Sequence, residues 1–246
     1  MLTALGFLTA LPVPRRMVTP ATLGRSLIFF PFVGLLVGLL LYGLDLALAR
    51  ALPGGVRAAL LLVALVALTR GLHLDGLMDC CDGLFGGFTQ ERRLEIMRDS
   101  RVGAFGVLGA VVFLLLRFSG IVALDGGWCL VGLVLPPLMG RWAMTVAIVA
   151  YPYGRAEGMG ADFKRAAGWW QAGLATLSAA ALGAALWWPW GAAALIPAVL
   201  MLTLVARFIL GRIGGMTGDC YGAINELVEG ALLLIVIGAQ TMTGGG

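Results

Sequence analysis

The chain alternates long apolar stretches with short polar segments, and the apolar stretches have the length of membrane-spanning helices. A helix that crosses the hydrocarbon core of a bilayer needs about 20 mostly apolar residues. Stretches close to this length occur at residues 27–49, 56–72, 102–124, 128–151, 169–190, 192–210 and 221–240. The pattern therefore predicts an all-α, polytopic transmembrane helical bundle of about seven spans, with residues 1–246 forming a single integral membrane domain.

Composition favours a membrane protein over a soluble one. Hydrophobic residues make up 60% of the chain and charged residues 12%, whereas a typical soluble domain carries about 25% charged residues. The polar surface is thus too small to coat a globule of this size in water. The net charge of +4 comes without a basic stripe interleaved with aromatic residues, so we do not expect nucleic acid binding.

Basic residues lie mainly in alternate connections between the predicted spans, and this asymmetry orients the bundle. The basic residues on the shared side are Arg15, Arg16, Arg25, Arg92, Arg93, Arg98, Arg101, Arg155, Lys164, Arg165, Arg207 and Arg212. Arg50 and Arg57, between the first two spans, are the exception. Because cytoplasmic loops carry the excess of Lys and Arg, we expect a cytoplasmic N-terminus and an external C-terminus.

The N-terminal segment and the cysteines do not indicate a functional site. Residues 1–12 are apolar but are not followed by a small-residue cleavage site, so we expect no cleavable signal peptide. The four cysteines include no CxxC pair and His73 is the single histidine, so we do not expect a zinc site. We interpret the cysteines as reduced thiols.

Segment 73–83, with the sequence HLDGLMDCCDG, carries three carboxylates at the end of an apolar stretch. Asp75, Asp79 and Asp82 are spaced four and three residues apart, so a helix places them along one face. Like charges at this spacing repel each other, and a divalent cation that prefers oxygen ligands, Mg²⁺ or Ca²⁺, relieves the repulsion. The alternative is a solvated helix end with incidental acids, but charge near membrane depth is costly and usually functional.

Two arginines on the same side are candidates for phosphate binding. Arg98 and Arg101 flank Asp99 just before the third predicted span. The planar guanidinium group suits phosphate oxygens. The alternative is that these residues only anchor the chain on the cytoplasmic side.

Two glycine-containing loops complete the polar segments on this side. Segment 214–222, GGMTGDCYG, brings Asp219 to the start of the seventh span, and its glycines let the backbone approach a ligand closely. Loop 152–160, which contains Arg155, is likewise rich in glycine and carries charged residues.

Acids and the histidine inside the apolar stretches remain open to two interpretations. Glu226 and Glu229 lie in the seventh span, where an intramembrane acid is a functional candidate by default. For Glu229 the alternative is an ion pair with Arg141 or Arg117 inside the bundle. For His73 the alternatives are catalysis or ligand contact and a buried imidazole that bonds locally.

Five sequence blocks, in this order, carry a resemblance to a known family. They are FLTALPVP at 7–14 with RSL at 25–27 and FPFVG at 30–34, HLDG at 73–76 with Asp79 and Asp82, MRDSRVG at 97–103, PYGR at 152–155, and GMTGD at 215–219. On these blocks the chain resembles the cobalamin-5'-phosphate synthases, also called adenosylcobinamide-GDP ribazoletransferases, nearly end to end. Cys80 and Cys81 depart from the small residues expected there and touch no proposed ligand.

The resemblance implies a Mg²⁺-dependent transferase of the cell inner membrane that assembles the nucleotide loop of cobalamin. Its substrates would be adenosylcobinamide-GDP and α-ribazole, or the 5'-phosphate of α-ribazole. A ribose hydroxyl would attack the phosphorus on the cobinamide side and expel GMP, a step that depends mainly on positioning and charge neutralisation. The active site would face the cytoplasm, and a homo-oligomer is left open.

Residue roles follow from the resemblance and the residue chemistry together. The expected metal ligands are Asp75, Asp79, Asp82 and Asp219. The expected catalytic residues are Asp82, Asp79 and His73. The expected substrate-binding residues are Arg98, Arg101, Arg155, Thr217 and Gly218. One carboxylate, or the histidine, would take the hydroxyl proton.

Three other functions compete with this interpretation. A CDP-alcohol phosphotransferase also uses aspartates on membrane helices, but the Ala-Arg pair of its motif does not follow Asp75-Gly76. An ion-coupled transporter would use Glu226, Glu229 and Asp45 as coupling acids, although transporters place such acids near the midplane at broken helices. An intramembrane aspartyl protease would need Asp45 as a second catalytic aspartate, and the surroundings of Asp45 do not match.

Overall fold

The computed structural model describes residues 1–14 and 19–244, and these residues are almost entirely helical. The helices are α1 (Leu2–Leu8), α2 (Pro20–Ser26), α3 (Phe30–Leu48), α4 (Gly54–Thr69), α5 (Leu72–Gly86), α6 (Gln90–Ile96), α7 (Ala104–Ala123), α8 (Trp128–Ala150), α9 (Met159–Ala166), α10 (Trp169–Leu186), α11 (Trp190–Ala193), α12 (Leu195–Ile213) and α13 (Gly218–Met242). The predicted all-α fold is confirmed. Arg15 and Arg16, two of the predicted cytoplasmic charges, lie outside the described residues.

Within the described ranges, five segments are long and apolar enough to cross a membrane. They are Pro20–Leu48, Ala104–Ala123, Trp128–Ala150, Trp190–Ile213 and Gly218–Met242. A sixth results if α4 and α5, which meet at an angle of 90°, are counted as one broken span. The prediction of a membrane helical bundle is confirmed, whereas the count of seven spans and the cytoplasmic N-terminus stay predictions.

The predicted span at 56–72 ends earlier than expected, at a sharp corner. α4 stops at Thr69 because Arg70 and Gly71 adopt left-handed conformations, with φ of 55° and 67°. The Arg70 guanidinium donates hydrogen bonds to the backbone carbonyls of Gly6, at 2.9 Å, and Phe7, at 3.3 Å. These bonds tie α1 to the corner. As a result, α5 and its carboxylates leave the direction of α4 at a right angle.

α8 forms the centre of the bundle and is buried along nearly its whole length. α3 packs directly against it through Gly34 and Gly38, which are spaced as in a GxxxG motif. A Cβ at Gly38 would lie 2.6 Å from the Cα of Val134 on α8, so a larger residue would force the helices apart. Small residues thus allow the backbones to approach closely where lipid supplies no hydrophobic driving force.

Charged residues inside the bundle pair with one another. Glu229 on α13 accepts hydrogen bonds from the guanidinium groups of Arg117 and Arg141, and from the Asn225 amide at 2.8 Å. Arg117 also binds Glu226, at 2.7 Å. All these side chains are buried. The ion-pair interpretation of Glu229 is therefore confirmed, and its charge is compensated within the bundle.

Candidate active site

Carboxylates from α5 and α13 come together where α5 crosses the start of α13. Two glycines let the helices approach closely at this crossing. A Cβ at Gly76 would lie 2.7 Å from the carbonyl oxygen of Asp219, and a Cβ at Gly222 would lie 3.1 Å from that of His73. The close packing places Asp219 beside the carboxylate-bearing face of α5.

The gathered carboxylates form a strongly negative site. Asp79 is half-buried, and the negative charges of Asp219, Asp75 and Asp82 repel its carboxylate. The repulsion from Asp219 is the strongest of the three. The Arg155 guanidinium forms an ion pair with Asp219 at 3.1 Å and offsets part of the repulsion. In the part of the chain that the structure describes, no three His, Cys, Asp or Glu side chains are placed to hold one metal ion together. The four-carboxylate metal site stays a prediction.

Asp82 is placed differently from the other predicted ligands, because both of its carboxylate oxygens already accept backbone hydrogen bonds. The N–H groups of Gly103 and Gly106 donate to it, each at 2.7 Å. These groups belong to the first turn of α7, where unpaired N–H groups and the helix dipole favour a negative charge. Asp82 is 8% exposed. In the structure its carboxylate caps α7 and joins it to α5.

Replacement of Gly106 by Ala is expected to destabilise the protein. The new Cβ would collide with the Asp82 carboxylate and lie 3.1 Å from the carbonyl oxygen of Met78. Overpacking of this kind costs about 1–3 kcal/mol, which a lower Tm in detergent would report. Gly211→Ala on α12 is the matched control, since a Cβ there meets nothing within 4 Å. Equal Tm values for the two variants would contradict a tight cap by Asp82.

Two of the three arginines predicted to bind substrate lie together. Arg98 and Arg155 line a surface recess of about 520 Å³, along with residues 156–158. Arg101 is not among its lining residues. Its guanidinium instead pairs with Asp99 at 2.6 Å in solvent, and its hydrogen bonds to that carboxylate lower the pKa of Asp99 to about 2.

Backbone hydrogen bonds hold Arg155 next to Asp219. The N–H of Gly154 donates to the carbonyl of Met216 at 2.7 Å, and the N–H of Met216 donates to the carbonyl of Pro152 at 2.8 Å. These bonds form a short parallel bridge between the two loops that the sequence singled out. The loop after α8 and the loop before α13 therefore act as one unit.

Thr217 and Gly218 were both predicted to bind substrate, but Thr217 is buried and Gly218 is exposed. Thr217 is fully buried, and its hydroxyl accepts a hydrogen bond from the N–H of Cys220 at 3.4 Å and donates to Asp219 at 3.1 Å. It therefore caps α13 and orients the aspartate. Gly218 is exposed and lines a cavity that begins at the carboxylates.

The cavity has a volume of about 240 Å³. Its lining residues are Phe7, Leu72, His73, Asp75, Met144, Ile148, Met159, Gly160, Phe163, Gly218, Asp219, Tyr221 and Gly222. The walls are mainly apolar, with two carboxylates, one imidazole and one phenol. The apolar walls were not predicted from the sequence, because they come from five separate helices, α1, α5, α8, α9 and α13. Phe7 was the partial exception, since it opens the first block of the family resemblance.

His73 is 1% exposed and contacts both the cavity and the buried ion pairs. Its Nδ1 lies 3.5 Å from a guanidinium nitrogen of Arg141. Its Nε2 has no hydrogen-bond partner among the described residues. The structure thus brings His73 to the edge of the carboxylate site. Its predicted catalytic role stays a prediction.

Known proteins similar to the chain agree with the resemblance noted in the sequence. A family model described as cobalamin-5-phosphate synthase matches residues 1–237. Three relatives carry the name adenosylcobinamide-GDP ribazoletransferase. That of Desulforamulus reducens is 42% identical over 240 residues, covering 96% of either chain. That of Pseudomonas fluorescens is 45% identical over 237 residues, covering 94% of this chain and 96% of the relative.

The third relative, from Desulfitobacterium hafniense, is 42% identical over 243 residues, covering 96% of this chain and 94% of the relative. No solved structure is significantly similar to the chain. The matched residues include the carboxylate helix, both bridged loops and all but the last five residues of α13. The chain belongs to the cobalamin-5-phosphate synthase family.

Proposed function

We propose that the chain is an adenosylcobinamide-GDP ribazoletransferase, which joins adenosylcobinamide-GDP to α-ribazole, or to its 5'-phosphate, and releases GMP. The observation that carries the proposal is the position of Asp219. This carboxylate pairs with Arg155, which lines the surface recess together with Arg98, and it also lines the apolar cavity. A phosphate-binding recess, a negative site for a cation and an apolar cavity for an acceptor are thus adjacent, as a phosphate-ester transfer requires.

Mg²⁺ suits the residues at this site. The cation usually keeps several waters and binds through one or two carboxylates plus substrate phosphates, so it does not need a cage of three protein ligands. Asp79 and Asp219 would hold it, because the charge of Asp219 acts on Asp79 more strongly than the charges of Asp75 and Asp82 do. When bound, Mg²⁺ would neutralise negative charge on the transferring phosphate. Asp82 is left out of the ligand set because it caps α7.

The remaining residues position the substrates and move one proton. Arg98 and Arg155 hold the diphosphate through their guanidinium groups. The ribose hydroxyl oxygen forms a bond to the phosphorus on the cobinamide side, and the bond from this phosphorus to the oxygen of GMP breaks. Asp75 takes the hydroxyl proton, since it lines the cavity and makes no ion pair among the described residues. GMP leaves with the electron pair of the broken bond.

The rival functions fit the side chains less well. Coupling acids of a transporter need to exchange ions, whereas Glu226 and Glu229 are held by buried arginines and Asp45 pairs with Arg57 at 3.1 Å. The phosphotransferase and protease alternatives lack their own motifs. We place the protein in the cell inner membrane with the carboxylate site facing the cytoplasm, on the side of most of the arginines.

Purified protein in lipid nanodiscs provides the direct test. GMP is expected to appear only when adenosylcobinamide-GDP, α-ribazole and Mg²⁺ are all present, and EDTA is expected to stop its release. Chromatography of the corrinoid should show adenosylcobalamin in equal amount to GMP. GMP formed without α-ribazole would indicate a hydrolase, and no GMP with all three components present would reject the proposal.

A further inference from the structure

We propose that the cavity beside Asp75 and Asp219 binds the base of the acceptor nucleoside, and that it selects a planar, largely apolar two-ring base with one ring-nitrogen acceptor. The benzimidazole of α-ribazole has this chemistry. The inference rests on the proposed function and adds the location of the acceptor and the residues that select it.

The walls suit a flat hydrophobic group. A single water occupies roughly 10–15 Å³ by the same kind of measure, so a cavity of about 240 Å³ has room for a ring system. Phe7 and Phe163 lie in its wall with ring centroids 4.9 Å apart, tilted by 48°. Met144 and Ile148 of α8 supply further apolar surface. Aromatic rings and methionine pack favourably against a planar heteroaromatic base.

Two polar side chains of the lining, His73 and Tyr221, each have a buried atom without a hydrogen-bond partner among the described residues. Arginine can only donate hydrogen bonds, so the contact between Arg141 and Nδ1 of His73 makes Nδ1 the acceptor. In the neutral imidazole the hydrogen then sits on Nε2, which has no partner in the described part of the chain. Tyr221 lines the same cavity, and its buried hydroxyl also has no hydrogen-bond partner among the described residues. A buried donor without a partner is costly, and an acceptor atom of a ligand would satisfy it.

These walls and polar atoms favour the binding of a largely apolar base over the binding of a purine. A benzimidazole buries one ring-nitrogen acceptor, which Nε2–H of His73 or the Tyr221 hydroxyl can meet. Adenine or guanine would bury several donors and acceptors among apolar walls, and each polar group left unpaired costs about 1–3 kcal/mol. The cavity thus favours α-ribazole over a purine riboside. The GDP group of the other substrate is better placed in the solvent-exposed recess of Arg98 and Arg155.

The carboxylates then meet the sugar. Asp75 and Asp219 line the same cavity as the apolar walls. A base held there carries its ribose towards these carboxylates, where the hydroxyl must lose its proton. His73 contacts the acceptor base in this arrangement and is not the general base.

Two histidine variants separate the donor role from a general-base role. His73→Gln places an amide N–H near the position of Nε2, whereas His73→Asn places its amide near Nδ1. His73→Gln is expected to keep α-ribazole binding within about threefold, and His73→Asn to weaken it about tenfold, the effect of one buried hydrogen bond. Titration calorimetry in nanodiscs with α-ribazole alone measures this. Equal losses of binding in both variants would contradict the Nε2 donor.

Met159→Trp tests the cavity without touching the core, because Met159 lies at its rim and is 57% exposed. The variant is expected to lose at least tenfold in α-ribazole affinity and to bind adenosylcobinamide-GDP as the unmodified protein does. Leu200→Trp on α12, 60% exposed and outside the cavity lining, is the matched control and should change neither affinity. Unchanged α-ribazole binding by Met159→Trp would overturn the proposal.

Substrate preference supplies an independent readout. The unmodified protein is expected to use α-ribazole with at least tenfold higher kcat/KM than α-adenosine, and equal use of the two would contradict selection by the cavity. The two proposals fail differently. No GMP release from any riboside rejects the proposed function, whereas normal release by a Met159→Trp protein with unchanged KM for α-ribazole rejects only the acceptor site.

Discussion

Replacement of Asp79 by Asn is expected to reduce the rate of GMP release by about 10²–10³-fold, the usual effect of removing one electrostatic group from a reaction centre. Asp79 lies on α5 among Asp75, Asp82 and Asp219, and all three repel its charge. The amide keeps the size of the side chain but gives up the charge that would hold Mg²⁺. The rate is measured by GMP release at saturating substrates, with Mg²⁺ varied.

The same substitution is expected to leave the fold intact, which distinguishes a functional charge from a structural one. With no Mg²⁺ present, loss of a repelled charge should keep Tm equal to that of the unmodified protein or raise it. Glu95→Gln is the matched control, because Glu95 is an exposed carboxylate on neighbouring helix α6, paired with Arg92 at 2.7 Å. It should retain full activity. Full activity in Asp79→Asn would reject Asp79 as a metal ligand.

Replacement of Glu229 by Gln is expected to cause the largest loss of stability, about 3–5 kcal/mol, because it breaks a buried ion network. Glu229 accepts hydrogen bonds from Arg117 and Arg141, and these side chains are buried. Arg117 keeps Glu226 as a partner, but Arg141 loses its ion-pair partner in the described part of the chain. Thermal unfolding in one detergent at fixed pH measures the loss.

Two further variants establish that the loss comes from an uncompensated charge. Asp162→Asn removes the carboxylate of an exposed pair with Arg165 and should cost less than about 1 kcal/mol. The double variant Arg141→Met with Glu229→Met removes both charges of the buried pair, and it should be more stable than Glu229→Gln. If Glu229→Gln unfolded at the same temperature as the unmodified protein, the ion network would not stabilise the bundle.

Part of the candidate site was predictable because it depends on local spacing. Asp75, Asp79 and Asp82 share a face of α5, as their four- and three-residue spacing requires. The spacing alone does not distinguish Asp82 from the other two carboxylates. Its distinct role comes from the first turn of α7, more than 20 residues further along the chain, and the hydrogen bonds to Gly103 and Gly106 have no signal in the spacing.

The positions of the substrate-binding arginines were also only partly predictable from the sequence. The positive-inside pattern placed Arg98, Arg101 and Arg155 on one side of the bundle, but it treated them alike. In the structure Arg98 and Arg155 share a recess, whereas Arg101 folds back on Asp99. The pair of Arg101 with Asp99 is local, whereas the position of Arg155 depends on the bridge between the loops after α8 and before α13, which are distant in the sequence.

By itself, the sequence determined the membrane bundle and the shared face of the α5 carboxylates, because apolar length and helical period act within one segment. Only the tertiary structure decided where α4 ends, that Glu229 is neutralised by Arg117 and Arg141, and that Asp219 lines an apolar cavity. These features require side chains from separate helices to meet. The glycines at the crossing of α5 and α13 permit that approach, and packing selects the partners.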